Sequence, residues 1–232
     1  MQTIEIRKTD ELSYQANEAY KSLRTNLMFS GEDVKAVVIT SCTPNEGKTS
    51  VSINLACSLA EAGKRVLYID ADMRRSVVVG RYKMANAAFG LSHYLSGQKK
   101  LEEVLNQTNL DGMNMIVAGI VPPNPSELLE GKRFADLIRA ARSTYDYIII
   151  DTPPVGSVID SAIVARQCDG VALVVASGEI SYKFAQKVKS QLEMAGSRLL
   201  GVILNKVDLS QGSHYGRYYK KYYGGYYGKE EE

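Results

Sequence analysis

One stretch constrains this chain more than any other: Ser41, Cys42, Thr43, Pro44, Asn45, Glu46, Gly47, Lys48, Thr49 and Ser50. The apolar run Val37, Val38 and Ile39 precedes it, and apolar residues at helical spacing follow it. The pattern predicts a strand, a tight loop and a helix. A loop in that setting turns backbone N–H groups and the positive end of a helix toward one point, and that point attracts phosphate. The spacing approximates G-x-x-x-x-G-K-[ST], with Cys42 at the first glycine position. In such a loop Lys48 reaches the β- and γ-phosphates of a nucleotide, and the Thr49 hydroxyl ligates Mg²⁺. The tripeptide Gly47, Lys48, Thr49 also fits an ordinary strand–turn–helix. Carboxylates on the same sheet edge are what separate the two readings.

Two further apolar runs supply such carboxylates. Residues 65–70 predict a buried parallel strand that ends in Asp70, with Asp72 two residues on. Residues 145–151 predict a second strand, with three isoleucines before Asp151. Acids at the C-terminal ends of parallel strands lie on the ligand edge of the sheet. Alternation along an extended segment turns Asp70 and Asp72 to one side. An apolar strand closed by an aspartate fits the second metal carboxylate of a nucleotide site. Taken alone, Asp70 and Asp72 read equally well as acids in a solvated loop.

The remaining pattern alternates. Helices are predicted over residues 13–29, 132–143, 160–167 and 181–195, and strands over 35–40, 113–118, 170–176 and 199–205. Residues 91–97 and 101–105 read as short helices. Pro122 to Pro125 form a rigid turn, and Ser126 is placed to cap the residues after it. The order predicts an α/β fold of P-loop NTPase type: a mostly parallel central β-sheet, helices on both faces and right-handed crossovers. On the helix over 13–29, Ala16, Tyr20, Leu23 and Leu27 share a face, whereas Glu18, Lys21 and Arg24 fit a solvated face with helical ion pairs. Asn205 ends the last strand on the ligand edge, where it either contacts a nucleotide base or sits in a plain turn. His93, without a partner in the sequence, reads as a packed or surface residue rather than a catalyst.

Composition narrows the classes. The 232 residues suit a large α/β domain over 1–209, followed by a different segment over 210–232. A net charge of +2 argues for neither nucleic acid nor membrane as a partner. Three cysteines without metal spacing fit a reducing compartment. With no signal peptide and no apolar run near the roughly 18 residues that span a bilayer, the expected location is cytoplasmic unless another protein holds the chain at a membrane. Residues 1–12 are polar and expected to be extended or mobile. Seven of the fifteen tyrosines, Tyr215, Tyr218, Tyr219, Tyr222, Tyr223, Tyr226 and Tyr227, crowd into the final segment among glycines and lysines. That segment has no aliphatic residue after Leu209 and predicts a disordered tail. It suits either stacking on single-stranded nucleic acid or phosphoryl acceptance. Stacking would use any aromatic, yet only tyrosine is enriched, so the acceptor reading is favoured and no nucleic acid is expected.

Together these segments resemble the bacterial tyrosine kinases, in particular the stand-alone kinase of capsular and exopolysaccharide synthesis in Gram-positive bacteria. The resemblance rests on the loop over Thr43, Pro44, Asn45, Glu46, Gly47, Lys48 and Thr49, on residues 68–74, on residues 145–154 and on the tyrosine cluster. Residues 18–26 and 122–129 are also similar to patterns of that family, and the likeness covers nearly the whole chain. Lys21 stands where the family has arginine, Arg75 and Ser76 stand for Lys-Pro, and Asn45 stands for a glycine. Asparagine tolerates positive φ better than most residues.

The resemblance implies an ATP-dependent protein-tyrosine kinase with Mg²⁺. The loop through Thr49 and Ser50 is then the Walker A segment, Asp70 and Asp72 belong to Walker A′, and Asp151 belongs to Walker B. Lys48 and the loop hold the phosphates, while Thr49, Asp70 and Asp151 are the metal residues. Asp70 is expected to orient and deprotonate the phenol, and Asp72 to support the metal or the loop. The helix of Glu18, Lys21 and Arg24 implies a homo-oligomeric ring, an octamer, in which one subunit feeds its tyrosines to a neighbour. A transmembrane activator of polysaccharide co-polymerase type, a cognate tyrosine phosphatase, and sugar-nucleotide dehydrogenase or glycosyltransferase substrates are further implied partners. The runner-up is a partitioning-type P-loop ATPase. Such proteins carry an extra lysine early in the loop, where this chain has Thr43, and have no tyrosine tail.

Overall fold

A computed structural model of the chain describes residues 3–6, 12–82, 84 and 88–208. The tail expected over 210–232, with its seven tyrosines, lies outside the described residues, as does most of residues 1–12.

In chain order the elements are β1 (Thr3–Ile4), α1 (Tyr14–Met28), β2 (Ala36–Ser41), α2 (Lys48–Glu61), β3 (Val66–Asp70), α3 (Val78–Arg81), α4 (Leu91–Leu95), α5 (Leu101–Val104), β4 (Asn106–Thr108), β5 (Met113–Ile116), α6 (Pro125–Glu130), α7 (Lys132–Thr144), β6 (Tyr147–Asp151), α8 (Asp160–Ala165), β7 (Gly170–Ala176), α9 (Tyr182–Met194) and β8 (Leu199–Asn205). The strands form one sheet in the order β1-β4-β5-β3-β6-β2-β7-β8. Every pairing is parallel except β4 with β5.

Alternation along the central strands builds two cores. Val37, Ile39, Val66, Tyr68 and Ile149 face one side, where α2 and the Leu23–Leu27 stripe of α1 cover them. Val38, Leu67, Ile69, Ile148 and Ile150 face the other, against α4, α7 and α8. Both faces of β2, β3 and β6 are therefore dry, which is why their sequences are unbroken apolar runs. Each fully buried isoleucine of β6 contributes roughly 1.5–3 kcal/mol.

Three elements escaped the sequence pattern. β1 and β4 span two and three residues, too short for any periodicity. α3 is a single turn whose only buried residue is Val78. The expected capping role of Ser126 is also corrected. The N-cap of α6 is Asn124, with Pro125 at N1, where its fixed φ costs the helix nothing. Ser126 sits inside the first turn, and its hydroxyl points elsewhere.

What the topology does for chemistry follows from the register. β6 lies between β2 and β3, with Asp151 level with Ile39 on one side and Asp70 on the other. The phosphate-loop strand and both aspartate-bearing strands are therefore neighbours with their C-terminal ends aligned.

Candidate active site

The loop after β2 is built by its own residues. Asn45 adopts φ +67 and Gly47 φ +90, so the chain turns back toward the helix it leads into. The asparagine fills the glycine-like position as its tolerance of positive φ predicts. A side chain at Gly47 would also strike the Asn205 amide, 2.2 Å from a Cβ placed there. α2 then begins at Lys48 with no side-chain cap and no acid in its first turn. Its first N–H groups have no carbonyl one turn back to bind. A fourteen-residue helix thus presents its positive end uncovered.

Glu46 belongs to the scaffold of this loop. It is wholly buried, accepts from the Thr43 N–H and hydroxyl, and accepts from the Ala176 N–H at 3.0 Å, tying the loop to β7. Asn205 donates its side-chain amide to the Glu46 carbonyl at 2.8 Å, tying the loop to β8. Cys42, at the first glycine position of the motif, is buried, and burial pushes its thiol up to about 11. A Cβ on Gly156 would lie 2.3 Å from the Cys42 carbonyl oxygen, so the loop after Asp151 passes close only because residue 156 is glycine.

Lys48 is the hub. Its ammonium lies 3.0 Å from Asp72 Oδ2, 3.7 Å from Asp151 Oδ1 and 3.3 Å from the Thr49 hydroxyl oxygen. Burial by itself would favour the neutral amine, but the charges of Asp151 and Asp72 outweigh it and the net shift is upward. The acids are less comfortable. Asp70 is pushed up to about 8, first by burial and then by the charge of Asp151, with the Ser76 hydroxyl opposing. Asp151 is raised too, by burial, against the pull of the Lys48 charge. Asp70 has both oxygens engaged, one by the Asp72 N–H and the other by Ser76. Asp72 Oδ1 accepts from the Arg75 N–H, so the loop after β3 is folded around its own acids.

The group fits a divalent cation held largely by a nucleotide. Asp151 Oδ1 is buried without a hydrogen-bond partner, a hard oxygen left open beside Lys48 and Thr49. Among the described residues, no three or more His, Cys, Asp or Glu side chains form a ready-made metal cage. Mg²⁺ does not require one, because it keeps waters and takes one or two carboxylates plus substrate phosphates.

Several expected site residues are thus drawn together: Lys48, Thr49, Asp70, Asp72 and Asp151 meet at one edge, with Thr43, Pro44, Asn45, Glu46, Gly47 and Ser50 in the loop and Asn205 behind it. Ser50 accepts from Arg81 at 2.7 Å, a contact with α3 that nothing in the sequence suggested. Glu18, Lys21 and Arg24 lie elsewhere, on α1. Lys21 and Glu18 pair at 2.7 Å on the surface, while Arg24 turns inward and donates to the Ser58 carbonyl of α2 at 2.7 Å. His93 is packed, its Nδ1 accepting from the Gly90 N–H. Two residues near the site carried no motif signal, Asp160 and Ser161. An acid and a serine opening a helix read as ordinary first-turn residues.

A family model described as an AAA domain matches residues 34–194. The chain is 46% identical over 211 residues to the tyrosine-protein kinase CpsD of Streptococcus pneumoniae serotype 4, covering 90% of this chain and 93% of that protein. The kinase domain of Escherichia coli tyrosine kinase ETK superposes with a TM-score of 0.80 at 35% identity, covering 89% of each chain. The septum site-determining protein MinD of Pyrococcus horikoshii, complexed with Mg-ADP, superposes with a TM-score of 0.65 at 24% identity over 77% of this chain and 72% of that one. At that identity MinD shares the fold alone, which is all the partitioning-type reading retains.

Proposed function

Because this chain belongs to the bacterial tyrosine-protein kinase family, we propose that it transfers the γ-phosphoryl group of Mg-ATP to Tyr215, Tyr218, Tyr219, Tyr222, Tyr223, Tyr226 and Tyr227 of a neighbouring copy. The observation that carries this reading is the lysine hub, with Lys48 between Asp72 and Asp151 at the open end of α2.

Phosphoryl transfer needs positioning and charge neutralisation more than covalent help. Lys48 and the first N–H groups of α2 take the phosphates, which requires the ammonium to leave Asp72. Thr49 and Asp151 would hold Mg²⁺, directly or through water, with Asp70 and Asp72 nearby. When bound, Mg²⁺ neutralises the charge that develops on the transferring group and orients its oxygens. As the phenol oxygen bonds to phosphorus, the bridge to the β-phosphate breaks and ADP departs. The phenol proton goes to Asp70. Asp70 serves as base only in its ionised form, which without ligand predominates above about 8, and a bound Mg²⁺ would favour that form as any nearby positive charge does. A phenol reaches Asp70 only by displacing the Ser76 hydroxyl.

In the same proposal Glu18, Lys21 and Arg24 mediate a ring of copies, an octamer, in which tethering raises the local concentration of acceptor tyrosines. Each added phosphate brings about −1.5 to −2 charges and loosens the ring. The protein is cytoplasmic, works at the inner face of the membrane under a transmembrane activator, is reset by a tyrosine phosphatase, and serves capsular or exopolysaccharide synthesis. Sugar-nucleotide dehydrogenases or glycosyltransferases are its further substrates. Among the described residues no helix is long and apolar enough to cross a membrane.

The test is incubation with Mg-ATP and an activator fragment, followed by mapping of phosphotyrosine by mass spectrometry. Label is expected on the tail tyrosines and lost in Lys48→Met. Equal label in the mutant, or label on serine only, overturns the assignment.

A further inference from the structure

We infer that Asp160 and Ser161, the first two residues of α8, are positioning residues that fix the spacing of the three strand ends that lead to Lys48, to Asp70 with Asp72, and to Asp151. Both are wholly buried. Asp160 accepts from Arg74 Nε at 2.7 Å and Nη2 at 3.0 Å, and from the Ser126 hydroxyl at 2.8 Å. Ser126 in turn accepts from Arg74 Nη2 at 2.9 Å, which is where the hydroxyl goes that does not cap α6. The Ser161 hydroxyl donates to the Pro153 carbonyl. Thr40 Oγ1 lies 2.8 Å from that same carbonyl and 3.2 Å from Ser161 Oγ.

Each of these anchor points sits within a few residues of a site group. Arg74 is two residues beyond Asp72, Pro153 is two beyond Asp151, and Thr40 is the penultimate residue of the strand that leads into the phosphate loop. One dipeptide therefore ties the loop after β3, the loop after β6 and the end of β2 to a single helix start. A bidentate guanidinium–carboxylate pair fixes angle as well as distance. Stability alone does not explain the choice, because well-packed apolar residues often replace a buried ion pair with no loss or with a gain. Placement does explain it, since misplacing a reacting group by about 1 Å can cost around 10²-fold.

This inference rests on the nucleotide-site reading above, and its test separates the two. Full-length wild type, Asp160→Asn, Ser161→Ala, Arg74→Gln and the Asp160→Asn/Arg74→Gln pair are titrated with ADP by calorimetry, with and without Mg²⁺. Melting temperatures and single-turnover phosphorylation are recorded alongside. Each single variant should lose about tenfold or more of the Mg²⁺-dependent gain in ADP affinity, with a matching fall in the single-turnover rate. The pair should be no worse than Asp160→Asn, because both changes act through one contact. Arg74→Lys, at a side chain that is 37% exposed, opens no cavity and keeps the charge. It should show a partial loss even if Asp160→Asn fails to fold. Unchanged Mg²⁺ dependence in the folded variants, with only a lower melting temperature, overturns the positioning role. So does additivity in the pair. Wild type that binds ADP without any Mg²⁺ effect overturns the site reading, and this inference with it.

Discussion

Asp136 and Asp70 are the same side chain in opposite circumstances. Asp136 lies on the exposed face of α7, where Lys132 at 2.6 Å and Arg139 at 3.0 Å flank it on the helical ladder. The Lys132 hydrogen bond and both cationic charges hold its carboxyl below the usual range. Asp70 ends β3 with no exposure at all, level with Asp151, and its carboxyl is pushed the other way, to about 8. The surface acid is satisfied by neighbours it does not need. The buried acid is held in a place that disfavours its charge, next to another acid and within the influence of Lys48. Burial and a neighbouring like charge both oppose ionisation there, and acids perturbed in this way are candidates for a functional site.

The contrast can be broken most directly at its centre. Lys48→Met should lower phosphoryl transfer by on the order of 10²–10³-fold, the scale of losing one preorganised charge in a transition state. Retention of near-wild-type transfer would mean that the hub is structural.

Asp70→Asn should separate stability from function. Unfolded, Asp70 loses its proton near 4; folded, it keeps it to about 8. An acid raised in the fold contributes fully below the lower value and progressively less as pH climbs to the upper one. The amide never ionises, so at pH 8 the ligand-free variant should be more stable than wild type, by on the order of a few kcal/mol, and should melt higher. The gap should close toward pH 5, while phosphoryl transfer falls. A constant gap across that range would show that Asp70 is not raised.

Ser76→Ala has a smaller effect with a definite sign. Before the phenol displaces it, the hydroxyl pulls the Asp70 carboxyl down, so its removal should move the acidic limb of the kcat/KM profile, which reports the enzyme without the phenol, to higher pH. A limb that stays in place would exclude Asp70 as the base. Smallest of all, Asp136→Ala should leave the melting temperature and transfer rate within error, at low salt and at high, as exposed helical ion pairs generally do. A measurable loss would mean that α7 carries a contact beyond the chain itself.

Much of this was legible in advance, and the reasons are particular. β2, β3 and β6 showed themselves because strands dry on both faces must be apolar throughout. Lys48 and Thr49 were placed at the sheet edge by the spacing of the loop after β2, and Asp70 and Asp151 because a charged residue directly after such a run has only that edge to occupy, with Asp72 two residues on. Ser126 was misread because a serine after proline looks like a cap, and only the partner across the fold shows where its hydroxyl goes. Glu46 looked like one more loop residue near phosphate, yet its carboxylate braces the loop from within. Arg24 looked solvated by spacing alone, but its donor reaches a carbonyl 34 residues away on α2.

The chain's own residue order determined the layers, the parallel strands and the identity of the charged groups, because burial and helical or extended periodicity are local properties of sequence. Which carboxylate stands beside which is decided by register between strands that lie up to about eighty residues apart, as Asp70 and Asp151 do. The folded structure likewise settled that one helix start, at Asp160 and Ser161, gathers the ends of three separate strands. Those contacts depend on long-range pairing, and a buried polar side chain carries no mark in the sequence of the partner it will meet.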